Sequence, residues 1–383
     1  MKILDIEAMV VEKPAIDVSA ADATQDALLV RVTTDEGITG IGEGNHTPRA
    51  MKAFIDAGGS HSWSQGVKTL LVGRDPLQPH RLWDMMYRAT VMSGRRGLGI
   101  AALAAIDVAL WDIKGKAEGK PIYELLGGAS GSPVVPYTTL YSGPLPYEDA
   151  VRANLELIER SRECGFRAVK LEPLEDCVPT NRQIVDFVKR SREHVSAETA
   201  LLVDVGHRWR TAKEALRWLR ELEPYDPALI ETPLWLDDLD GYREVAERSP
   251  IPVAVGELFV TRNEFLEMLD RGRVDIVQPC VARIGFTQAL RVAEDAAVRG
   301  RSVVPYGWLA TTIGVAANLH LAATLRNSPW CEYAPLELYP DSELRRNLVA
   351  PEPELVDGAF VLPTEPGLGV ELDENALEHY RVD

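Results

Sequence analysis

Three acidic residues end three successive strand-like runs of this 383-residue chain. They are Asp204 in LLVDVG, Glu231 in ALIETP and Glu257 in PVAVGE, and they are separated by 27 and 26 residues. Each interval fits one helix plus one strand, and side chains at the same end of neighbouring parallel strands converge in space. Clustered carboxylates repel one another unless a cation lies between them, and all-oxygen ligation suits Mg²⁺ or Mn²⁺. The spacing therefore predicts a metal-dependent enzyme.

The elements that would position these carboxylates alternate regularly after about Val134. Short apolar runs are separated by amphipathic helical patterns such as TAKEALRWLRELE. The strand candidates are VVPYTTLY, FRAVKLE, ALLVDV, ALIET, PVAVGE, VDIVQP, SVVPY and PWCEYA. This alternation favours a (β/α)₈ barrel over an open doubly wound sheet. No glycine-rich nucleotide fingerprint follows the early strands, which weakens the open-sheet alternative.

The first part of the chain has a different pattern. KILDIEAMVVEK and DALLVRVTTDEGITGIGEG predict antiparallel strands, and the pattern is helical from Pro48 to Gly128. The stretch PAIDVSAADATQ between the two strand regions is either a surface loop or a flap over the substrate. We predict an α+β domain over residues 1–133, the barrel over 134–335, and a tail over 336–383 that returns to the first domain.

Composition limits the function classes. A net charge of −17 argues against nucleic acid or an anionic membrane as a partner, because both require basic patches. An anionic small substrate remains compatible, since a bound divalent cation reverses the local field. The four cysteines have no CxxC spacing, which argues against a zinc site or a disulfide framework. No signal peptide is visible and no apolar run reaches the roughly 20 residues of a membrane span, so a cytoplasmic protein is expected.

Further candidate site residues follow from the barrel prediction. In such barrels the chemistry lies at the C-terminal ends of the strands. Besides the three carboxylates, the strand ends offer Lys170, Glu172, Gln278, Cys280, Tyr306 and Glu332. A single acidic strand end is more often a helix cap or a surface ion pair. Three in regular register make that explanation improbable for the set.

Several motifs together carry a family resemblance over nearly the whole chain. They are IAALAAIDVALWDIKGKAEGKPIYELLGG, the VDVG/IETP/VGE series, VDIVQP, IGVAANLHLAA and PGLGVELDENALEHYRV. In combination they resemble the enolase superfamily, in its mandelate racemase/muconate lactonizing enzyme branch. The resemblance implies an α/β fold in which an α+β N-terminal capping domain covers a modified (β/α)₈ barrel of the form (β/α)₇β.

The same resemblance implies chemistry and assembly. One Mg²⁺, with Mn²⁺ as an alternative, would be held by Asp204, Glu231 and Glu257. Members of the family remove the proton α to a carboxylate and stabilise the resulting enediolate on the metal. A small carboxylate substrate and a homo-oligomer, from dimer to octamer, are therefore expected.

The chain departs from the family pattern at the usual bases. The second strand of the barrel often carries KxK with the second lysine as base, whereas this chain has Lys170-Leu171-Glu172. Lys170 matches the lysine that faces the substrate carboxylate. Cys280 and Tyr306 stand where the mandelate racemase type has an Asp–His dyad, and the muconate-type lysine of the sixth strand is absent.

Four residues are candidates for the base. Tyr306 could act as a phenolate if Mg²⁺ and Lys170 lower its pKa, and Lys170 could act if desolvation lowers its own pKa. Glu172 could take the proton directly. His207, three residues after Asp204, could serve as acid or base. The alternatives are that Tyr306 forms only a hydrogen bond to substrate and that His207 is a loop residue.

Other residues are candidates for substrate binding. Glu332 matches a family position that donates a hydrogen bond to the substrate carboxylate; its alternative is a surface salt bridge. Cys280 is better explained as a small buried residue beside the substrate than as a nucleophile, because no base is adjacent. His46 and Arg49 in GEGNHTPRA are expected on the cap side of the pocket, as is the Arg95-Arg96 pair.

The missing dyad also bears on the reaction. Racemisation requires bases on both faces of the carbon, whereas dehydration requires one base and an acid for the departing hydroxide. We therefore predict dehydration of a sugar acid or hydroxy acid. The alternatives are a racemase or epimerase, a cycloisomerase, and, from another class, a metal-binding member without catalytic activity.

Overall fold

The computed structural model describes residues 1–18, 24–44 and 46–383. Its N-terminal part is an antiparallel sheet in the order β1-β2-β3, followed by helices. The middle of the predicted loop or flap, residues 19–23, lies outside the described residues. The N-terminal elements are β1 (Ile3–Glu12), β2 (Asp26–Thr34), β3 (Thr39–Gly44), α1 (Pro48–Asp56), α2 (Val67–Leu71), α3 (Pro79–Ala89), α4 (Val91–Gly94), α5 (Leu98–Glu118) and α6 (Ile122–Leu125).

Two glycines of β3 determine how the sheet packs on the long helix α5. A Cβ atom at Gly40 would lie 2.1 Å from the Ala109 carbonyl oxygen, and one at Gly42 would lie 2.0 Å from that of Ala105. Strand and helix backbones therefore touch directly, which a larger residue would prevent. Most residues of α5 are apolar and buried, and the helix lies between the sheet and the rest of the molecule.

The middle of the chain forms the barrel that the alternating pattern predicted. Within the described residues, its parallel strands pair in the order β10-β9-β8-β7-β6-β5-β4-β11. Glu332 N, in β11, also donates to Pro305 O, just after β10, at 3.0 Å, and this bond brings the two edges of the curled sheet together. The barrel elements are β4 (Pro136–Leu140), α7 (Tyr147–Glu163), β5 (Ala168–Leu171), α8 (Asn181–His194), β6 (Ala200–Asp204), α9 (Ala212–Leu222), β7 (Leu229–Glu231), α10 (Leu239–Arg248), β8 (Val253–Val255), α11 (Arg262–Glu267), β9 (Ile276–Val277), α12 (Val281–Val298), β10 (Ser302–Val303), α13 (Thr312–Thr324) and β11 (Cys331–Glu332), with a 3₁₀ turn at Glu223–Tyr225 and a π-helical turn at Met268–Gly272.

Side-chain caps fix where several barrel helices begin. Thr180 and Thr261 each form a capping box with the residue three positions later, Gln183 and Glu264. The remaining capped helices begin after Thr211, Asp238 and Thr311. These caps end the loops that follow the strands, so the length of each loop above the barrel is set by the sequence.

The tail returns to the N-terminal sheet. Val382 N donates to Val10 O at 3.0 Å, and Arg381 forms an ion pair with Glu7 at 2.7 Å. The fold class is thus confirmed, whereas the domain boundaries at 133 and 335 stay a prediction. Among the described helices, none has the length and apolarity needed to cross a membrane. The tail elements are α14 (Glu343–Leu348), β12 (Val349–Ala350), β13 (Leu355–Val356), β14 (Ala359–Phe360), β15 (Glu371–Leu372) and α15 (Glu374–Tyr380).

Two buried carboxylates join the N-terminal part to the barrel. Glu43, at the end of β3, accepts hydrogen bonds from the backbone N–H groups of Ala310, Thr311 and Gly314 at 2.9–3.2 Å, and from the Thr311 hydroxyl at 2.7 Å. Asp107 of α5 accepts from the backbone and the hydroxyl of Thr287 in α12 at 2.9 and 2.7 Å. The capping elements are therefore fixed to the loop after β10 and to the helix after β9.

Candidate functional site

The predicted metal ligands converge as their spacing required. Asp204 and Glu231 end the adjacent strands β6 and β7, and Glu257 lies two residues beyond β8. One carboxylate oxygen from each lies within 4.8 Å of the others. Among the described residues this is the group with the composition and spacing of a metal site. An ion that binds oxygen ligands could be held by one atom of each side chain.

The electrostatics of this cluster are unfavourable without a cation. Burial raises the pKa of Glu231 to about 8, that of Glu257 to about 7 and that of Asp204 to about 6. The neighbouring carboxylates add to each rise, because like charges disfavour ionisation. A divalent cation would reverse this, since it favours the ionised form of all three groups.

Unpartnered buried atoms also fit a metal centre. The Glu231 Oε1 atom is buried without a hydrogen-bond partner. Neither amide atom of the buried Gln278, on the sixth barrel strand, makes a hydrogen bond of ordinary geometry. Buried polar atoms are normally satisfied, and the exceptions require a missing partner. The donor set and the orphaned oxygen therefore fit Mg²⁺ or Mn²⁺.

Lys170 lies against this cluster. Its Nζ atom is 3.0 Å from Glu231 Oε2, 3.4 Å from Glu332 Oε1 and 3.7 Å from Asp204 Oδ2. Burial alone would lower the pKa of Lys170, but Glu231 and Glu332 outweigh it and raise that pKa well above its ordinary value. A lysine base would need a lowered pKa, whereas the protein groups around Lys170 raise its pKa. These groups therefore favour the charged ammonium form of Lys170.

Glu332 lies inside the barrel and not in a surface salt bridge. Its Oε1 atom accepts from the Thr139 hydroxyl and its Oε2 atom accepts from the Gly307 N–H at 2.8 Å. These contacts, together with Lys170, join strands β4, β5 and β11 at the mouth of the barrel. Thr139 was not identified from the sequence. Its position on β4 could have indicated it, because β4 pairs with β11, the strand that carries Glu332.

Glu172 lies just beyond β5, two residues after Lys170. Side chains two apart in a strand point to the same face, so both are directed to the barrel mouth. Glu172 is partly exposed. Burial, opposed by Lys170 and reinforced by Asp204, raises its pKa well above the ordinary value. A raised pKa favours the protonated carboxyl, and a cation bound at the neighbouring carboxylates would favour the ionised form that can accept a proton.

Tyr306 and Cys280 occupy the positions after the seventh and sixth strands. The Lys170 Nζ atom is 5.9 Å from the centre of the Tyr306 ring. Burial, with Glu257 and Glu332, raises the pKa of Tyr306 well above its ordinary value, opposite to the lowering expected for a phenolate base. Burial also raises the pKa of the Cys280 thiol to about 12. The two side chains are therefore neutral near pH 7, unlike an Asp–His dyad.

His207 lies in the loop that follows β6. Its ring packs on Trp235 with centroids 5.1 Å apart, and its backbone N–H donates to Thr232 O at 2.8 Å. The Nε2 atom is buried without a hydrogen-bond partner. Burial lowers the pKa of His207, so the imidazole is neutral near pH 7. The structure brings His207 to the same loop as Asp204 but gives it no bond to the cluster.

The predicted cap-side residues separate into two groups. Burial, aided by Arg283, lowers the pKa of His46 to about 4, so His46 is a neutral side chain against the barrel. Arg49 is largely exposed and its Nη2 atom lies 2.8 Å from Glu12 Oε1 at the end of β1. Arg96 pairs with Glu267 at 3.3 Å. Arg49 and Arg96 are thus each in an ion pair with a carboxylate of the protein. A role of these arginines in substrate binding stays a prediction.

Arg283 was missed by sequence reasoning. It follows the sixth barrel strand by a few residues and opposes the rise in the pKa of both Tyr306 and Glu257. Its Nε and Nη1 atoms are buried without a hydrogen-bond partner. The signal was available, because Arg283 is a lone charge in the otherwise apolar stretch CVARIGF.

Comparison with known families matches both parts of the chain. Residues 5–127 match the model of the mandelate racemase/muconate lactonizing enzyme N-terminal domain. Residues 153–376 match that of the enolase C-terminal domain-like family. The two matches together cover most of the chain, including the three carboxylates.

Individual relatives are similar over nearly their whole length. A D-galactarolactone cycloisomerase of Agrobacterium fabrum is 32% identical, over 93% of this chain and 91% of its own. An arabinonate dehydratase of Saccharolobus solfataricus is 31% identical, over 94% and 92%. The crystal structure of a racemase from Streptomyces coelicolor with bound magnesium superposes with a TM-score of 0.84, at 27% identity over 99% of this chain and 100% of that one.

Proposed function

Since the chain belongs to the mandelate racemase/muconate lactonizing enzyme family of the enolase superfamily, we propose that it is a Mg²⁺-dependent dehydratase of a sugar acid. The observation that carries this proposal is the convergence of Asp204, Glu231 and Glu257 within 4.8 Å. Mn²⁺ is an alternative ion. When bound, the ion would offset the second negative charge that develops on a carboxylate as its α-proton leaves.

Lys170 orients the substrate carboxylate. Its ammonium is held by carboxylates of β6, β7 and β11, so its position does not depend on the substrate. A fixed cation stabilises charge that develops in the transition state without reorganising at that moment. The raised pKa of Lys170 supports this role over that of a base.

Glu172 is the proton acceptor and Tyr306 the proton donor. The Glu172 carboxylate takes the α-proton, and the C–H electron pair moves toward the substrate carboxylate. That pair then forms the double bond between the α- and β-carbons as the β-carbon–oxygen bond breaks, and the departing hydroxide takes the phenol proton of Tyr306 to leave as water. The resulting enol takes a proton at C3 from solvent and releases its hydroxyl proton to solvent, which gives the 2-keto-3-deoxy acid. The raised pKa of Tyr306 supports the donor role, because it favours a neutral phenol. The position of Glu172 beside the proposed metal ligands supports the acceptor role, because a bound cation would favour the ionised carboxylate.

Two other reactions are less well supported. Racemisation needs a second base on the opposite face, and the neutral Cys280 and Tyr306 do not supply one as an Asp–His pair would. Cycloisomerisation is the second candidate, because one relative is a D-galactarolactone cycloisomerase. In that reaction Tyr306 or His207 would deliver the proton to an intermediate formed by ring opening.

A screen of sugar acids and hydroxy acids in D₂O with Mg²⁺ tests the proposal. Proton NMR would follow loss of the α-hydrogen and appearance of a 2-keto-3-deoxy product. We expect dehydration of at least one acid, abolished in Glu172→Gln. Deuterium exchange without dehydration would support isomerase chemistry instead. If no acid lost its α-hydrogen, the chain would be a metal-binding member without catalytic activity.

A further inference from the structure

Arg283 lies at the same end of the barrel as the metal cluster. Its backbone N–H donates to Cys280 O at 3.0 Å, in the turn that follows β9. Gly285, with φ of 74°, interrupts the helical conformation two residues later. A Cβ atom at Gly285 would lie 2.6 Å from the Asp107 carboxylate. The turn is therefore fixed above the strand end, and Arg283 belongs to it and not to the outer part of α12.

Two of the three guanidinium nitrogens of the partly buried Arg283 have no partner among the described residues. Its Nε and Nη1 atoms are buried and make no hydrogen bond. Buried Arg345, in contrast, is paired with Glu352 at 2.7 Å. Buried N–H groups without a partner cost free energy. An anionic ligand would satisfy them.

The groups around Arg283 belong to the candidate site. The charge of Arg283 acts on Glu257 and Tyr306 at the barrel mouth and on His46 of the capping side. Arg283 therefore lies within electrostatic reach of the candidate site. Glu257, the carboxylate among these three groups, would be held by the bound cation.

The barrel places Arg283 opposite Lys170. Lys170 is on β5 and Arg283 follows β9, and the sheet order puts these two four strands apart in the barrel of the described residues. Half a turn of an eight-stranded barrel spans its diameter, which is only wide enough for side chains or one small ligand. A small molecule between the two cations would have one end at each.

We propose that Arg283 binds a second carboxylate at the far end of the substrate, so that the enzyme selects sugar diacids (aldaric acids) over monoacids. The inference rests on the proposed function, which places the first carboxylate at Lys170. The planar guanidinium pairs with a carboxylate through two parallel hydrogen bonds, and it can pair with a phosphate in the same way.

Matched acids test this preference. Hexaric and hexonic acids of the same configuration differ only in whether C6 is a carboxylate or a hydroxymethyl group. Dissociation constants for the galacto, gluco and manno pairs would be measured by calorimetry on the Mg²⁺-loaded Glu172→Gln protein. We expect the diacid to bind more tightly in at least one pair. In that pair Arg283→Met should weaken the diacid about 10- to 100-fold, the range for a hydrogen bond to a charged group, and leave the monoacid nearly unchanged.

Controls separate specificity from general effects. Arg283→Lys should lose part of the preference for the diacid, because lysine keeps the positive charge but cannot form the two parallel hydrogen bonds of a guanidinium. Arg248→Gln removes an exposed arginine paired with Glu244 on α10 and should change neither constant. Without ligand, Arg283→Met should melt at the wild-type temperature or above it, since it removes buried N–H groups that have no partner.

The contrary outcomes are distinct. Equal weakening of both acids, or no pair in which the diacid is favoured, would overturn the inference. If an aldonate phosphorylated at O6 bound more tightly than the diacid, the group recognised by Arg283 would be a phosphate and not a carboxylate. That result would also overturn the inference. Because binding is measured apart from turnover, dehydration of monoacids alone would leave the proposed function standing while this inference failed.

Discussion

Lys170 shows how one residue acquires its role from three separate strands. Its Nζ atom lies within 3.0–3.7 Å of carboxylates on β6, β7 and β11. Each contact raises the pKa of the amine, and together they overcome the effect of burial. The raised pKa favours the charged ammonium form of Lys170 over the neutral amine that a base would need.

Replacement of Lys170 tests this electrostatic role. In Lys170→Met we expect kcat/KM to fall about 10²- to 10³-fold, the loss found when a preorganised charge-stabilising donor is removed. The matched control is Lys189→Met, which removes an exposed lysine of α8 and should retain activity. A Lys170→Met enzyme with wild-type kcat/KM at any pH would show that the ammonium does not act on the substrate.

Replacement of Glu231 tests the metal ligands. The Glu231→Gln protein should bind Mg²⁺ at least about tenfold more weakly in calorimetry, because an amide oxygen carries no charge. Exposed Glu221 on α9 provides the control Glu221→Gln, for which the affinity should not change. Unchanged Mg²⁺ affinity in Glu231→Gln would make the assignment of the three carboxylates wrong.

At the scale of elements, the contact between α5 and α12 holds the capping part on the barrel. Asp107 accepts two hydrogen bonds from Thr287, and the Trp111 indole N–H donates to the same hydroxyl at 3.2 Å. Burial, opposed by the Thr287 hydrogen bonds, raises the pKa of Asp107 to about 7. The joint between two large elements thus contains a carboxyl group that titrates near neutrality.

The titration of Asp107 has a predictable sign. Between pH 4 and pH 7 the folded protein keeps the Asp107 proton while the unfolded chain loses it, so this group's contribution to stability falls as the pH rises. The whole loss is on the order of 4 kcal/mol. Asp107→Asn cannot titrate, so the melting temperature of wild type relative to Asp107→Asn should decrease from pH 5 to pH 8. A difference independent of pH would contradict the raised pKa.

The loop after β10 is a second joint between elements. Glu43 of β3 accepts four hydrogen bonds from residues 310–314, only a few positions after Tyr306. A side chain of the capping sheet thereby fixes the loop that carries the proposed proton donor. The capping part therefore positions catalytic groups of the barrel as well as covering it.

At the scale of the whole molecule, the fold and the carboxylate cluster followed from sequence because both depend on periodicity. The 27- and 26-residue intervals returned the chain to the same barrel end each time, so Asp204, Glu231 and Glu257 had to meet. The eight predicted strand runs all contain barrel strands of the structure. The local sequence pattern is enough to predict a barrel of this kind, because each strand–helix unit repeats the previous one.

What could not be predicted depends on three-dimensional burial. Burial and two carboxylates from other strands, Glu257 and Glu332, raise the pKa of Tyr306, and the sequence does not show these contacts. The lowering of that pKa by Mg²⁺ stays a prediction. The ion pair of Arg49 with Glu12 could not be predicted either, because it joins residues of two different elements. Arg283 lies on a turn beyond the end of β9. A turn has no strand or helix periodicity from which the direction of a side chain could be predicted.

The assembly is predicted by family membership. We expect light scattering to give a mass that is a multiple of the 42.3 kDa chain, from dimer to octamer. Large exposed apolar side chains such as Trp63 and Met92 on the capping part are available for such contacts. A mass equal to one chain at micromolar concentration would contradict this prediction.

The central claim is that Asp204, Glu231 and Glu257 together hold one divalent cation beside Lys170. Anomalous X-ray scattering from crystals soaked in Mn²⁺ tests it most directly, because Mn²⁺ shares the oxygen ligands of Mg²⁺ and can be located on its own. We expect one strong peak at coordination distance, about 2.1 Å, from an oxygen of each carboxylate. A peak elsewhere, or no peak at this cluster at saturating Mn²⁺, would contradict the account.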